Sequence, residues 1–145
     1  MNHRQETRSA VVPVLVAALV CDVAVADPST NKKNLIGIFD VVHADRFPTF
    51  RPMSVYLKLA DALGYYQLSL QYVKLDGDEK IASATGELRA TDRLASVDLF
   101  IPFPPLQIPS AGRYEFRIFA NDVFLGSAFL DARHRPVQKE DEEHP

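Results

Sequence analysis

The chain has a single cysteine, Cys21, and no tryptophan. A lone cysteine excludes an intramolecular disulfide framework and the paired spacings of a zinc ribbon or finger. Glycine is scarce, six residues in 145, and most of these sit at turns or singly among apolar residues. With no glycine-rich phosphate loop, a dinucleotide or ATP site has no support, and no cofactor is expected. Basic residues show no excess: 16 Lys and Arg stand against 19 Asp and Glu, a net charge of −3. Without a basic patch, nucleic acid is not expected as a partner. The apolar run from Ala10 to Val20 contains Pro13 and is too short to cross a bilayer as a helix.

What remains is a globular composition, 47% hydrophobic and 24% charged, near the average for soluble domains. A chain of this length suits one domain and buries roughly two thirds of its unfolded surface. The apolar residues follow a period of two. Val55, Leu57 and Leu59 share one face of Met53–Ala60, with Ser54, Tyr56 and Lys58 on the other. Leu68 and Leu70 repeat the pattern within Tyr66–Tyr72. Such alternation predicts half-buried strands. Further strands are predicted at Val14–Val25, Leu35–Val42 and Lys80–Leu88, the last following an Asp76-Gly77-Asp78 turn. Val97, Leu99 and Ile101 mark another, which Pro102, Pro104, Pro105 and Pro109 are expected to end. A closing hairpin runs Tyr114–Ala120 and Phe124–Leu130 around Asn121-Asp122.

The entry to that hairpin is the strongest architectural signal. After the Ala111-Gly112 turn, Tyr114 precedes an inward-facing Phe116 by two residues. A buried tyrosine at this point of a sandwich returns its hydroxyl to nearby backbone, the tyrosine corner of immunoglobulin-like domains. The expected fold is an all-β, immunoglobulin-like antiparallel sandwich of about seven or eight strands. Residues 13–132 would form the sandwich, after a flexible segment 1–12 and before a charged tail 133–145. That tail, ending Lys139-Glu140-Asp141-Glu142-Glu143-His144-Pro145, buries too little apolar surface to offset its ordering entropy.

Catalytic chemistry finds little to use. His3, His134 and His144 lie in or near the chain ends, leaving His43 as the ordinary candidate base. Cys21 is the one thiol it could activate, though a buried cysteine acting as a small hydrophobe is the commoner case. Asp22, Asp40, His43 and Asp45 are the candidate metal ligands. Asp40 and His43, three apart, point to opposite faces of a strand, and two ligands rarely hold a structural ion. No metal is therefore expected, and a small metal-assisted hydrolase ranks last among the readings. Phe47, Phe50, Phe100, Phe103 and Leu106 flank proline-rich connections, where aromatics plug a sandwich end or present a docking surface. Phe100, Phe103 and Leu106 are the first choice for an interaction surface.

Residues 1–26 admit two readings. Two arginines, the apolar run and Ala24-Val25-Ala26 fit a secretory signal cleaved near Ala26. Glu6, Pro13 and Asp22 fit it poorly, and the Val-rich stretch before the Asp27–Asn31 turn equally suits a buried first strand. At this point the residues Cys21-Asp22, Leu35-Ile36-Gly37-Ile38-Phe39-Asp40, Arg46-Phe47-Pro48 and Gly112-Arg113-Tyr114-Glu115-Phe116 become informative together. They resemble a family of small bacterial proteins of unknown function with an immunoglobulin-like sandwich. The resemblance covers residues 14–132, and Leu35–Asp40 is its most specific part. It implies that residues 14–25 are a strand of the domain, and it supplies no catalytic residue, since the family has no assigned activity. The expectation is a non-enzymatic, cytoplasmic module that binds another protein, with an exported module as the alternative.

If the first strand belongs to the domain, a chain beginning at Asp27 leaves several apolar side chains uncovered, at roughly 1.5–3 kcal/mol each. Their sum rivals the net stability of about 5–15 kcal/mol typical of a domain. Such a chain should be insoluble or show no cooperative melt by circular dichroism; a sharp, reversible transition would oppose the assignment.

Overall fold

The computed structural model describes residues 10–136, and the period-two segments among them form nine strands and no helix. In chain order these are β1 (Val14–Ala26), β2 (Lys33–Ile38), β3 (Val41–Ala44), β4 (Thr49–Ala60), β5 (Gly64–Lys74), β6 (Glu79–Ala90), β7 (Val97–Ile108), β8 (Gly112–Ala120) and β9 (Val123–His134). They build two sheets, ordered β2-β1-β4-β7 and β3-β9-β8-β5-β6. The all-β sandwich read from the sequence is thus the observed architecture. Pairing is antiparallel apart from β3, which runs parallel to β9.

The core forms where the alternating faces meet. Val55, Leu57 and Leu59 of β4 are at most 1% exposed, as are Leu68 and Leu70 of β5 and Ile118 of β8. The aromatic centre is a stack in which the Tyr72 ring lies 5.5 Å from Tyr114 and 4.9 Å from Phe116. Tyr114 behaves as its sequence setting predicts. Its hydroxyl donates to the Ser110 carbonyl at 2.6 Å and accepts from the Ser110 N–H at 3.1 Å. A ring buried completely thereby keeps its one polar atom satisfied, which a buried hydroxyl requires. Burial, and then the neighbouring Tyr114, push the Tyr72 hydroxyl pKa well above its ordinary value.

Two strand expectations need correction. Leu35–Val42 is two strands in different sheets, which raises the count to nine. The chain crosses over between adjacent residues: the Phe39 N–H donates to Val20 of β1, while the Asp40 carbonyl accepts from Asp131 of β9. A continuous apolar run carries no mark of such a change of partner. Three of the four prolines also fail to end β7, which continues through Pro102, Pro104 and Pro105 and stops at Ile108, just before Pro109. This strand pairs only with β4, and on an edge a missing N–H faces away from the ladder and costs little.

The ends differ in detail from the expected limits. Residues 10–12 fall in the segment expected to be flexible, but the Val11 N–H donates to the Leu63 carbonyl in the β4–β5 turn and the Val11 carbonyl accepts from the Tyr66 hydroxyl of β5. At the other end, residues 133 and 134 belong to β9, and the Arg135 N–H donates to Ala44. The rest of both terminal segments, with His3 and His144, lies outside the described residues.

Removing the Tyr114 hydroxyl isolates the corner's contribution, because Tyr114→Phe keeps the ring stack but strands the Ser110 backbone groups. We expect a loss of about 1–3 kcal/mol, read as a lower urea midpoint at unchanged slope. An unshifted midpoint would show that the corner contributes nothing to stability.

Candidate functional site

The first strand leads two lives. Along its first half, Leu15, Ala18 and Val20 pair with Leu59, Leu57 and Val55 on the inner face. Ala17, Leu19 and Cys21 pair with Lys58, Tyr56 and Ser54 on the outer face. Cys21 therefore points away from the sandwich interior, yet it is completely buried and Ser54 beside it is 6% exposed. Something covers this outer face.

The cover is the hairpin made by the end of β1 with β2. Lys33 pairs with Ala26 beyond Cys21, whereas Asp98 pairs with Lys58, which lies the other way along β4 from Ser54. In a flat sheet these positions would be roughly 30 Å apart along the strands. Instead the Lys33 ammonium is 3.0 Å from the Asp98 carboxylate. The hairpin therefore turns back across the outer face of its own sheet. At its base, Gly37 (φ +70°) presses against the Asp22 carboxylate, where a Cβ would collide. Asp22 is bonded at 2.7 Å to Arg51, whose guanidinium lies 4.5 Å from the Phe39 ring centre. The Arg51 Nε is buried without a hydrogen-bond partner.

Alternation then sorts the hairpin's side chains. Ala24 and Leu35 share the side of Lys33 and are half-buried, facing the sheet. Val23, Val25 and Ile36 occupy the opposite side, and with Ile38 they are between 45% and 58% exposed. These four form an exposed apolar strip on the hairpin, and β2 is a free edge of the sheet.

Beside the hairpin base lies a cleft of about 570 Å³. It opens where β1 before Cys21 and β9 before Asp131 each lack a second neighbour. Ala18, Leu19 and Val20 form one wall, the Ile38–Val41 crossover the floor, and Ser127, Ala128 and Phe129 the other wall. Of its four charged side chains, Arg113, Asp131 and Arg133 are engaged with one another, and Asp40 has no ion pair among the described residues. Arg113 lies over the Phe129 ring at 4.5 Å and 3.4 Å from Asp131, which also meets Arg133 at 3.5 Å. Ser127 donates to Glu115, itself bonded to Arg117, both at 2.7 Å. The carboxylate that the Ser127 hydroxyl faces is thus already paired with a guanidinium.

The sequence candidates distribute differently from expectation. Phe103 and Leu106 are 9% and 6% exposed and belong to the core, while Phe100 pairs with Tyr56 on the outer face. A kink in register between Arg51 and Met53 and the pleat of β7 send them to opposite sides, so the three do not make one surface; Phe103 and Leu106 plug the interior. Phe47 packs edge-on against His134 at 5.0 Å, and Phe50 is exposed. Cys21 sits under the hairpin, and burial followed by the Asp22 charge pushes its thiol pKa up, away from the reactive thiolate. His43 is exposed on β3 opposite Arg133. Asp22 is held by Arg51 and Asp45 by Arg135 at 3.1 Å; among the described residues no three His, Cys, Asp or Glu gather as metal ligands do. The sequence reading missed Val23, Val25, Ile36 and Ile38 as a surface. The signal was present, since apolar residues two apart on both arms of a short turn give a hairpin with one apolar face.

The fold and these surfaces define an all-β, two-sheet sandwich with a β-hairpin laid over one sheet. Residues 16–133 match a family of unknown function, DUF6941, and the chain belongs to that family. No curated protein matches it. Among the described residues no helix is long and apolar enough to cross a membrane.

The Lys33–Asp98 contact gives the hairpin a pH dependence. Burial tends to raise the Asp98 pKa, but hydrogen bonds from Lys33 and Tyr56 and the nearby Lys58 charge outweigh it and hold the carboxyl below its ordinary value. Burial and the bond to Asp98 in turn push the Tyr56 hydroxyl up to about 12. A carboxylate whose pKa is lower folded than unfolded stabilises the fold above about pH 4, and that stabilisation is lost as pH falls through the folded value. The amides of Asn34 and Ile36, which face β1, should therefore lose hydrogen-exchange protection below about pH 4, after correction for intrinsic rates. In Asp98→Asn they should be poorly protected at every pH; an Asp98→Asn hairpin protected like the wild type would refute the anchor.

Proposed function

We propose that the protein is a non-enzymatic binding module of the bacterial cytoplasm and that the folded-over hairpin is its recognition element. One observation carries this reading: Val23, Val25, Ile36 and Ile38 stand exposed together on a strand pair with a free edge. Strand addition at such an edge gives affinity through main-chain hydrogen bonds and specificity through alternate side chains. Of the ionised groups lining the neighbouring cleft, Arg113, Asp131 and Arg133 are committed to one another and Asp40 stands without a base or nucleophile bonded to it, which supports recognition over catalysis.

We further assign the sandwich to the immunoglobulin-like type. β4 and β7 stand together in one sheet and β5, β8 and β9 in the other, as strands B and E and strands C, F and G do in that fold. Tyr114 then falls near the start of β8, the strand in the place of F, where the fold has its tyrosine. On this assignment β1 stands beside β4 in the place of A, and β2 is the distinguishing addition.

The alternative, an exported module cleaved near Ala26, is disfavoured by the place of β1. Cleavage there would remove the strand between β2 and β4 and, with it, Val20 and Cys21.

The test uses the full chain immobilised beside the double variant Val25→Lys/Ile36→Lys. From native lysate the wild type should retain a protein that the variant loses, with both chains melting alike. Equal capture by both would move recognition away from the hairpin. A saturable small-molecule ligand with no protein partner would overturn the binding-module reading.

A further inference from the structure

The two edges of the four-stranded sheet are treated unequally. β7 carries Pro102, Pro104 and Pro105 along its edge, a common device against unwanted strand pairing. β2 carries none. Its sequence is Lys33-Asn34-Leu35-Ile36-Gly37-Ile38, and its lysine, the usual edge guard, is bent inward to Asp98. The Asp27 N–H donates to the Lys32 carbonyl, so in an antiparallel ladder Asn34 and Ile36 turn their backbone groups to β1 and Leu35 turns its own outward. The outward groups lack a strand partner.

We propose that a second copy of this chain supplies that partner: β2 pairs antiparallel with β2 of the other molecule, with Ile36 at the two-fold axis. The proposal rests on the reading of the hairpin as a recognition element and names its occupant. In this register Ile36 meets its own copy as a non-hydrogen-bonded pair, the kind that brings side chains closest. Leu35 of each chain lies opposite Gly37 of the other, where the absent side chain lets the backbones approach. Asn34 meets Ile38. Lys32 and Asp40 flank the two ends of β2, so antiparallel pairing brings the Lys32 end of each chain beside the Asp40 end of the other, and among the described residues neither has an ion-pair partner of its own. Two-fold closure is self-limiting, because pairing uses up the edge on both molecules. The exposed Val23 and Val25 continue the apolar strip on either side.

Sedimentation velocity on the full chain, at micromolar to submillimolar concentration, tests this. The wild type should sediment as a dimer. Ile36→Lys places like charges face to face at the axis and should weaken the dimer at least about tenfold. Lys32→Glu should weaken it as well, and Lys32→Glu/Asp40→Lys should restore it, which a loss through misfolding would not do. Urea midpoints of all variants check the fold. A wild type monomeric throughout, or a charge swap that restores nothing, overturns the proposal. The broader reading fails separately: if Ile36→Lys leaves capture from lysate unchanged while abolishing the dimer, the hairpin joins copies and recognises no other protein. If the wild type is monomeric and capture is still lost in Val25→Lys/Ile36→Lys, self-pairing is wrong and the hairpin binds another chain.

Discussion

The pairing of β1 with β4 is the contact on which the other parts depend. One short run of antiparallel ladder places Val20 against Val55 inside the sandwich and Cys21 against Ser54 outside it. The inner residues complete a core whose other wall is the Tyr72–Tyr114–Phe116 stack. The outer residues provide the floor on which the hairpin lies. At Val20 and Cys21 the strand is buried on both sides and reads as continuously apolar, and its exposed positions Val14, Val16, Val23 and Val25 are apolar too, so the same stretch also resembles the apolar segment of a leader peptide.

Electrostatics follows from that arrangement. The Lys33–Asp98 bridge joins the hairpin to the far strand of its own sheet with only 9% of the lysine side chain exposed. Ion pairs at the surface contribute little to stability; a shielded one is retained where it fixes a geometry. Elsewhere on the surface the arginines are distributed to carboxylates one by one, Arg51 to Asp22, Arg93 to Asp61 and Arg117 to Glu115 and Asp78. This leaves a cleft with shape and mixed polarity and without an activated group.

Much of the fold was legible in the chain because burial imposes a period of two wherever one face is wet. Val55, Leu57, Leu59, Leu68 and Leu70 announced their faces, and Tyr114 its corner. The crossover at Phe39-Asp40 was not legible, since an apolar run looks the same whether it keeps its partner strand or changes it. The course of β7 through three prolines depends on its being an edge, which is a property of the sheet and absent from the strand's own residues. The hairpin surface failed for a related reason. Val23, Val25, Ile36 and Ile38 have the composition of a core, and only the long-range bond from Lys33 to Asp98 shows which side of them faces out. Phe103 and Leu106 erred the other way, with loop-like proline neighbours around residues that fill the interior.

The crossover has a mechanical meaning as well. Ile38 closes the hairpin, and the next three residues form the floor of the cleft before the chain joins the second sheet. Because Phe39 is tied to one layer and Asp40 to the other, these residues act as a short strap between them. Whatever tugs on the hairpin pulls on the cleft floor through a single peptide unit, and a molecule seated in the cleft would hold the hairpin's root in place.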